Sequence, residues 1–285
     1  MTGNVVILGA SGFVGRAVLD ALQNLDVEVA GFSSHELDLR DGAQLSLLDE
    51  HIRPDTVVMV ASALTPDKGA NSFEALGWNQ QMCLNLASYL ERRPFRRCVY
   101  VSSDAVYPFL HVPVTEESPV EPASFYALAK YAGERIFARL AELTQSGFLN
   151  LRLTGIYGPG DTHNSYGPNR FIKSIVRSGT VQLFGEGAEQ RDHLYIADAA
   201  QLIAHLIRTQ AEGTYNVATG RSCSFSGIVE LLREIVPVSF DVIHAPGQPV
   251  THRHFDVSRL FLAAPEFAFT SLHDGLRASY EAAAA

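Results

Sequence analysis

The first 155 residues alternate between short apolar runs and longer segments of helical period. Residues 5–8, 27–32, 56–63, 99–101 and 148–153 have the length and β-branched content of buried strands. Between them, residues 16–22, 79–90 and 124–140 carry apolar positions three and four apart, the spacing of a helix with a buried face. Leu84, Leu86, Ala87 and Leu90 are the expected core positions of the second of these, and residues 43–50 add a short helix. Strands alternating with helices predict an α/β fold with a doubly wound parallel sheet. After Gly155-Ile156-Tyr157-Gly158-Pro159-Gly160 the texture changes to a loop rich in Gly, Asn, Pro and Ser, a helical stretch at 169–177, and short segments leading to 191–198. The expected division is a sheet domain over 1–157 with elements returning near 191–218, and a smaller C-terminal substrate-binding domain from 158–190 and 219–285.

Composition narrows the class. The chain has 285 residues, 47% hydrophobic and 19% charged, with a formal net charge of −9. That is the balance of a soluble globular protein, and the negative charge argues against nucleic acid or an anionic membrane as partner. No apolar run approaches a membrane span, and the start shows no signal-peptide pattern. Cys83, Cys98 and Cys223 are isolated and odd in number, which argues against a disulfide framework or a zinc cluster. The histidines show no metal-ligand spacing beyond His252-Arg253-His254, which alternates like a strand, so no metal is expected. A reduced, cytoplasmic setting fits these features.

The first strand is followed at once by Gly9-Ala10-Ser11-Gly12-Phe13-Val14-Gly15 and then by a helix. In such a turn the first glycine permits the sharp bend, the second lets backbone approach a pyrophosphate, and the third lets helix and strand pack closely. The helix N-terminus then offers free N–H groups to the phosphates. This arrangement predicts a dinucleotide site, with Ser11, Phe13 and Val14 beside the glycines. An acidic residue at the end of the second strand would bind the adenosine ribose and repel a 2′-phosphate. Here the position reads Gly31-Phe32-Ser33-Ser34, so both NAD and NADP remain open, with Ser33 a candidate phosphate contact. Asp38 and Leu39 are placed for the adenine edge, and Ala61 for close approach of the cofactor.

Chemistry enters with Tyr126 and Lys130. Four apart on one helix, the hydroxyl and the ammonium share a face. A tyrosine ordinarily titrates near 10, and a neighbouring cation favours the phenolate. Ligands in open α/β sheets lie off the carboxyl ends of the strands, where Ser103 ends the fourth one. A serine and a tyrosine there suit proton movement at an oxygen whose carbon gives or takes a hydride.

Together with Asn79, Arg152, Tyr157-Gly158-Pro159-Gly160 and Gln190-Arg191-Asp192 before Tyr195-Ile196-Ala197-Asp198, these stretches resemble the extended short-chain dehydrogenase/reductases, specifically their NAD-dependent epimerase/dehydratase branch acting on nucleotide sugars. The resemblance implies a Rossmann-type fold and an NAD(P)-dependent enzyme with Ser103, Tyr126 and Lys130 as catalytic residues. It also implies Asn169, Arg191 and Arg253 as substrate contacts, the arginines for a diphosphate. Sugar 4,6-dehydratases of this family carry Asp-Glu after the serine or threonine; here the pair is Asp104-Ala105, and alanine cannot abstract a proton. A 4-epimerase or 4-ketoreductase is what remains. The alternatives are reduction of a non-sugar carbonyl, or an inactive cofactor-binding regulator, which typically lacks the Tyr or the Lys. Gly155 stands near a position where several epimerases have a substrate-binding asparagine. The family habit of dimerising through a four-helix bundle points to a homodimer, with Tyr131, Phe137 and Leu140 as candidates for a second buried face.

Overall fold

The apolar runs form strands because burial on both faces leaves their backbone groups only each other as partners. The computed structural model describes residues 3–23, 25, 27–63, 71–161, 167–247 and 249–285. The first half runs β1 (Asn4–Leu8), α1 (Phe13–Gln23), β2 (Glu28–Phe32), β3 (Val57–Val60), α2 (Phe73–Leu90), β4 (Arg97–Ser103), α3 (Phe125–Thr144) and β5 (Gly147–Leu153). The second half runs β6 (Gly155–Tyr157), α4 (Pro168–Ser178), β7 (Thr180–Phe184), β8 (Gln190–Tyr195), α5 (Ile196–Arg208) and β9 (Gly213–Val217). It ends with β10 (Ser222–Ser224), α6 (Phe225–Ile235), β11 (Asp241–Ala245), α7 (Ser258–Ala263) and α8 (Leu272–Ala284).

Six strands pair in parallel in the order β2-β1-β3-β4-β5-β9. The chain leaves β1 for β2 on one side and returns to β3 on the other, so a crevice opens at the carboxyl ends of β1 and β3. One face of the sheet is covered by α1 and α5, whose Val18, Leu22, Leu202 and Ile203 join Val5, Ile7 and Leu151 in one core. The other is covered by α2 and α3, where Leu86, Leu90, Phe137 and Leu140 meet Val6, Val58 and Tyr100.

Three expectations change here. Leu84 is 49% exposed and not core, because α2 carries apolar residues on more than one face. Phe137 is fully buried, its ring 5.2 Å from that of Tyr100, and Leu140 lies in the same core, so neither offers a second face. Residues 43–50 form a 3₁₀ turn over Gly42–Leu48 instead of an α-helix.

The smaller lobe holds a three-stranded sheet, β10-β8-β6, and a two-stranded one, β11-β7. Of the elements near 191–218, α5 and β9 return to the large sheet, whereas β8 pairs with β6 and β10. Leu260, Ala264, Phe267 and Phe269, late in the chain, also pack on the large-sheet core. Two hydrogen-bonded aspartates fix these crossings. Asp192 accepts from Thr219 N–H and Oγ and from Arg221 N–H, and Asp198 accepts from Thr270 N–H and Oγ.

Candidate active site

A cleft of about 840 Å³ lies between the large sheet and the smaller lobe, over the carboxyl ends of β1, β3 and β4. It is lined on one side by the glycine turn, Ala61, Ser103, Tyr126 and Lys130, and on the other by Asn169, Arg191 and Arg253. A more open hollow of about 660 Å³ between α1 and α5, with Arg16, Asp20, His205 and Arg208, brings no comparable chemistry together.

The three glycines differ in why they are glycine. Gly9 has φ +90°, and a side chain there would press on the Ser62 backbone; one at Gly15 would collide with the Gly9 carbonyl. Both are demanded by the turn itself. At Gly12 the conflict is milder: a built Cβ would sit 3.2 Å from the Gly9 carbonyl, tight but short of a collision, so the turn alone does not demand glycine there. Its missing side chain therefore serves the cleft, which fits a pyrophosphate laid against the N-terminus of α1. Val14, Ser11 and Phe13 line the same cleft.

The adenosine end holds a correction. Ser33 does not line the cleft: its N–H and Oγ both donate to Glu36 Oε2, at 2.8 and 2.7 Å. The turn after β2 thus carries a carboxylate that the sequence reading missed, and the Ser33 hydroxyl is occupied. These bonds hold the Glu36 carboxyl below its usual range. Asp38 and Leu39 do line the cleft, Asp38 gripped by Arg40 at 2.6–3.0 Å. Arg40 also stacks on Trp78, 5.4 Å from the ring centre.

Helix α3 starts where Ser124 caps it, its Oγ accepting from Ala127 N–H. That cap sets Tyr126 and Lys130 on the face toward β4. Lys130 is buried, its Nζ donating to the Val101 carbonyl at 2.8 Å and lying 5.8 Å from the Tyr126 ring centre. Burial pushes its pKa down to about 8. Ser103 caps the next turn, accepting from Ala105 N–H at 3.2 Å with its hydroxyl 3.4 Å from Asp104 Oδ1. Ser103, Tyr126 and Lys130 line one cleft.

Behind them lies a buried polar network that the sequence reading did not find. Glu134, one turn beyond Lys130, accepts from Ser102 Oγ at 2.5 Å and from Arg152 Nε and Nη2 at 3.0 and 2.7 Å. Arg152 Nη1 donates to the Tyr107 hydroxyl at 2.7 Å, which in turn donates to Asn216 Oδ1 at 2.8 Å. Both members of the ion pair are under a tenth exposed. The network ties α3, the end of β4, the turn after it, β5 and β9 into one frame.

On the small-lobe side, Arg253 donates to Asp104 Oδ2 at 3.0 Å and to the Tyr107 carbonyl at 2.9 Å. Asp104 is therefore an anchor for Arg253. Arg191 is held by the carbonyl and hydroxyl of Thr251, and both guanidinium groups lie within 5 Å of the Phe109 ring centre. Asn169 Oδ1 accepts from the Gly158 N–H at 3.0 Å. His252 and His254 stack at 6.0 Å, and no group of three or more potential metal ligands occurs among the described residues. The three cysteines are free, and no helix among the described residues is long and apolar enough to cross a membrane.

Known proteins share this frame. The chain is 25% identical to GDP-L-fucose synthase from Sinorhizobium fredii, covering 96% of this chain and 93% of that one. It is 26% identical to UDP-glucose 4-epimerase from Mycolicibacterium smegmatis, covering 87% and 85%. Among solved structures, UDP-glucose 4-epimerase from Thermus thermophilus in complex with NAD superposes with a TM-score of 0.88 at 20% identity, over 98% of both chains. RMD from Pseudomonas aeruginosa, complexed with NADPH, gives 0.89 at 22% over 99% of both. The sequence model of the NAD-dependent epimerase/dehydratase family matches residues 5–218, three quarters of the chain, and the protein is a member of that family.

Proposed function

We propose that the chain transfers hydride at a carbon of a nucleotide-activated sugar, as a 4-epimerase or a 4-ketoreductase. The observation that carries this reading is the meeting of Ser103, Tyr126 and Lys130 with a glycine cradle on one side of a cleft and two arginines on the other. A nicotinamide dinucleotide bound in the cradle supplies and takes the hydride. Tyr126 moves the matching proton at the sugar oxygen, and Ser103 hydrogen-bonds that oxygen. Lys130, cationic below about pH 8, favours the tyrosinate. Arg191 and Arg253 suit the oxygens of a diphosphate, which speaks for a nucleotide sugar over an uncharged carbonyl compound. Dehydration by the Asp-Glu route lacks its base, since Ala105 cannot take a proton, and Asp104 is committed to Arg253.

NAD and NADP both fit the adenosine end as cofactor: Glu36 holds the turn after β2 without lining the cleft, and Arg40, which lines it, is gripped by Asp38. For assembly, a homodimer through α2 and α3 fits the apolar groups they leave in solvent, Phe73 at 81% and Leu84 and Leu128 above 40% exposed. Light scattering at twice the chain mass, lost in Leu84→Glu/Leu128→Glu, tests that assembly.

Turnover of a panel of UDP-, GDP- and dTDP-hexoses and their 4-keto forms, with either cofactor, tests the function. Conversion of at least one with NAD(H) or NADP(H) is expected. Turnover confined to ketones without a nucleotide overturns the reading. Mass spectrometry of the purified protein separates its two forms: retained oxidised cofactor marks an epimerase, an exchangeable site a reductase.

A further inference from the structure

His193 lines the active-site cleft, yet none of the chemistry above uses it. It stands two residues after Arg191 on β8, so the two side chains share a face about 7 Å apart along the strand. The ring is 9% exposed and packed edge-on against Phe225, with centroids 5.8 Å apart. Its Nε2 has no hydrogen-bond partner among the described residues. The atom is sealed from solvent, and a folded protein holding an unmet buried polar group calls for a reason.

Two further observations say what kind of group meets it. Burial, reinforced by the positive charge of Arg191, pushes the His193 pKa down to about 4, so the ring is neutral at physiological pH. A neutral imidazole has one donor and one acceptor nitrogen. It complements a hydroxyl or an amide and has no charge to set against a phosphate or carboxylate. The second observation is the bare strand beside it. Gly155 on β6 is directly paired with His193 on β8. A side chain built at Gly155 would make only ordinary contacts, 3.4 Å to the Asp192 carbonyl and 3.6 Å to His193 Nδ1, and its backbone is not in the left-handed region. The fold therefore has room for a Cβ at 155, and the lack of one leaves the Nδ1 edge of the ring uncovered on that side.

We propose that His193, left bare by Gly155, is a sugar-recognition residue that exchanges hydrogen bonds with an uncharged hydroxyl or amide substituent of the substrate. The inference rests on the nucleotide-sugar reading above and adds a selection to it: a neutral hexose over a uronate at this subsite.

Calorimetric titration of the NADH-saturated protein with UDP, UDP-glucose and UDP-glucuronate, and with the GDP and dTDP hexose sets, tests it. Wild type is expected to bind one hexose conjugate at least tenfold tighter than the matching free nucleotide, and tighter than the uronate. His193→Phe fills the same slot without nitrogens; it should weaken the hexose conjugate ten- to a hundredfold and leave the free nucleotide within twofold. His193→Gln should recover part of the loss, and Gly155→Asn, which covers the ring, should reproduce it. Equal loss for nucleotide and conjugate, or no loss for either in His193→Phe and His193→Gln, overturns the proposal alone. Failure of every conjugate to bind wild type overturns the functional reading as well.

Discussion

Replacing Lys130 with methionine should abolish turnover and make the protein more stable. The lysine is buried, and its folded pKa lies at about 8 against an ordinary 10.5. At about 1.4 kcal/mol per unit, that shift is a penalty of about 3 kcal/mol for holding the charge in the interior. The bond from Nζ to the Val101 carbonyl would be lost, at about 1 kcal/mol. Methionine fills a similar volume without the charge, so the net gain is about 2 kcal/mol, or a rise in Tm of roughly 3 °C for a chain of 285 residues. The pH dependence follows from the sign of the shift. Below about pH 8 the lysine is protonated in both states and the penalty is complete. Between about 8 and 10.5 the unfolded chain binds the proton that the folded one has released, so wild type gains stability as pH rises. The difference between the proteins should therefore be greatest at pH 7 and shrink toward pH 10.5. Thermal melts of the cofactor-free proteins at pH 7, 8.5 and 10.5 measure it. A methionine variant less stable at pH 7, or a gap that does not shrink with pH, would refute the reasoning.

What the sequence made legible is what lies close together along it. The glycine turn spans seven residues and Tyr126 and Lys130 one helical turn, so local geometry fixes their meaning whatever the rest of the chain does. Contacts between distant elements were not legible. Asp104 reads as a turn residue because its partner, Arg253, comes 149 residues later. Glu134 was not singled out, though a signal existed: it continues the face of Tyr126 and Lys130 at the next turn, and a carboxylate on a face turned toward the sheet needs a cation, which Arg152 supplies. Glu36 was missed for a different reason. The expectation looked for an acid at the last strand position, whereas a serine three residues earlier folds the glutamate back over that turn. Leu84 and Phe137 fail together, because a helix apolar on more than one face does not say which side meets the sheet. His193 shows the limit from the opposite direction. Its chemistry depends on the absence of a side chain at Gly155, which becomes visible only when β6 and β8 are set side by side.

Three more perturbations probe the site. Tyr126→Phe should lower kcat at least a hundredfold with cofactor affinity within twofold, since a positioned acid/base contributes about 10²–10⁴-fold; retention of a tenth of wild-type kcat sinks the assignment. Gly12→Val should do the reverse and lose cofactor binding first, measured by NADH fluorescence titration, because the branched side chain fills the space its glycine leaves over α1. The buried ion pair behind the site asks for a cycle of variants: Glu134→Leu alone strands the Arg152 charge and should cost about 3–5 kcal/mol, while Glu134→Leu/Arg152→Met, which removes both charges, should recover most of that stability. Activity should not return with it, because Ser102, beside Ser103, and the helix of Lys130 share Glu134 as their anchor; a double variant with wild-type kcat would reduce the pair to a packing element.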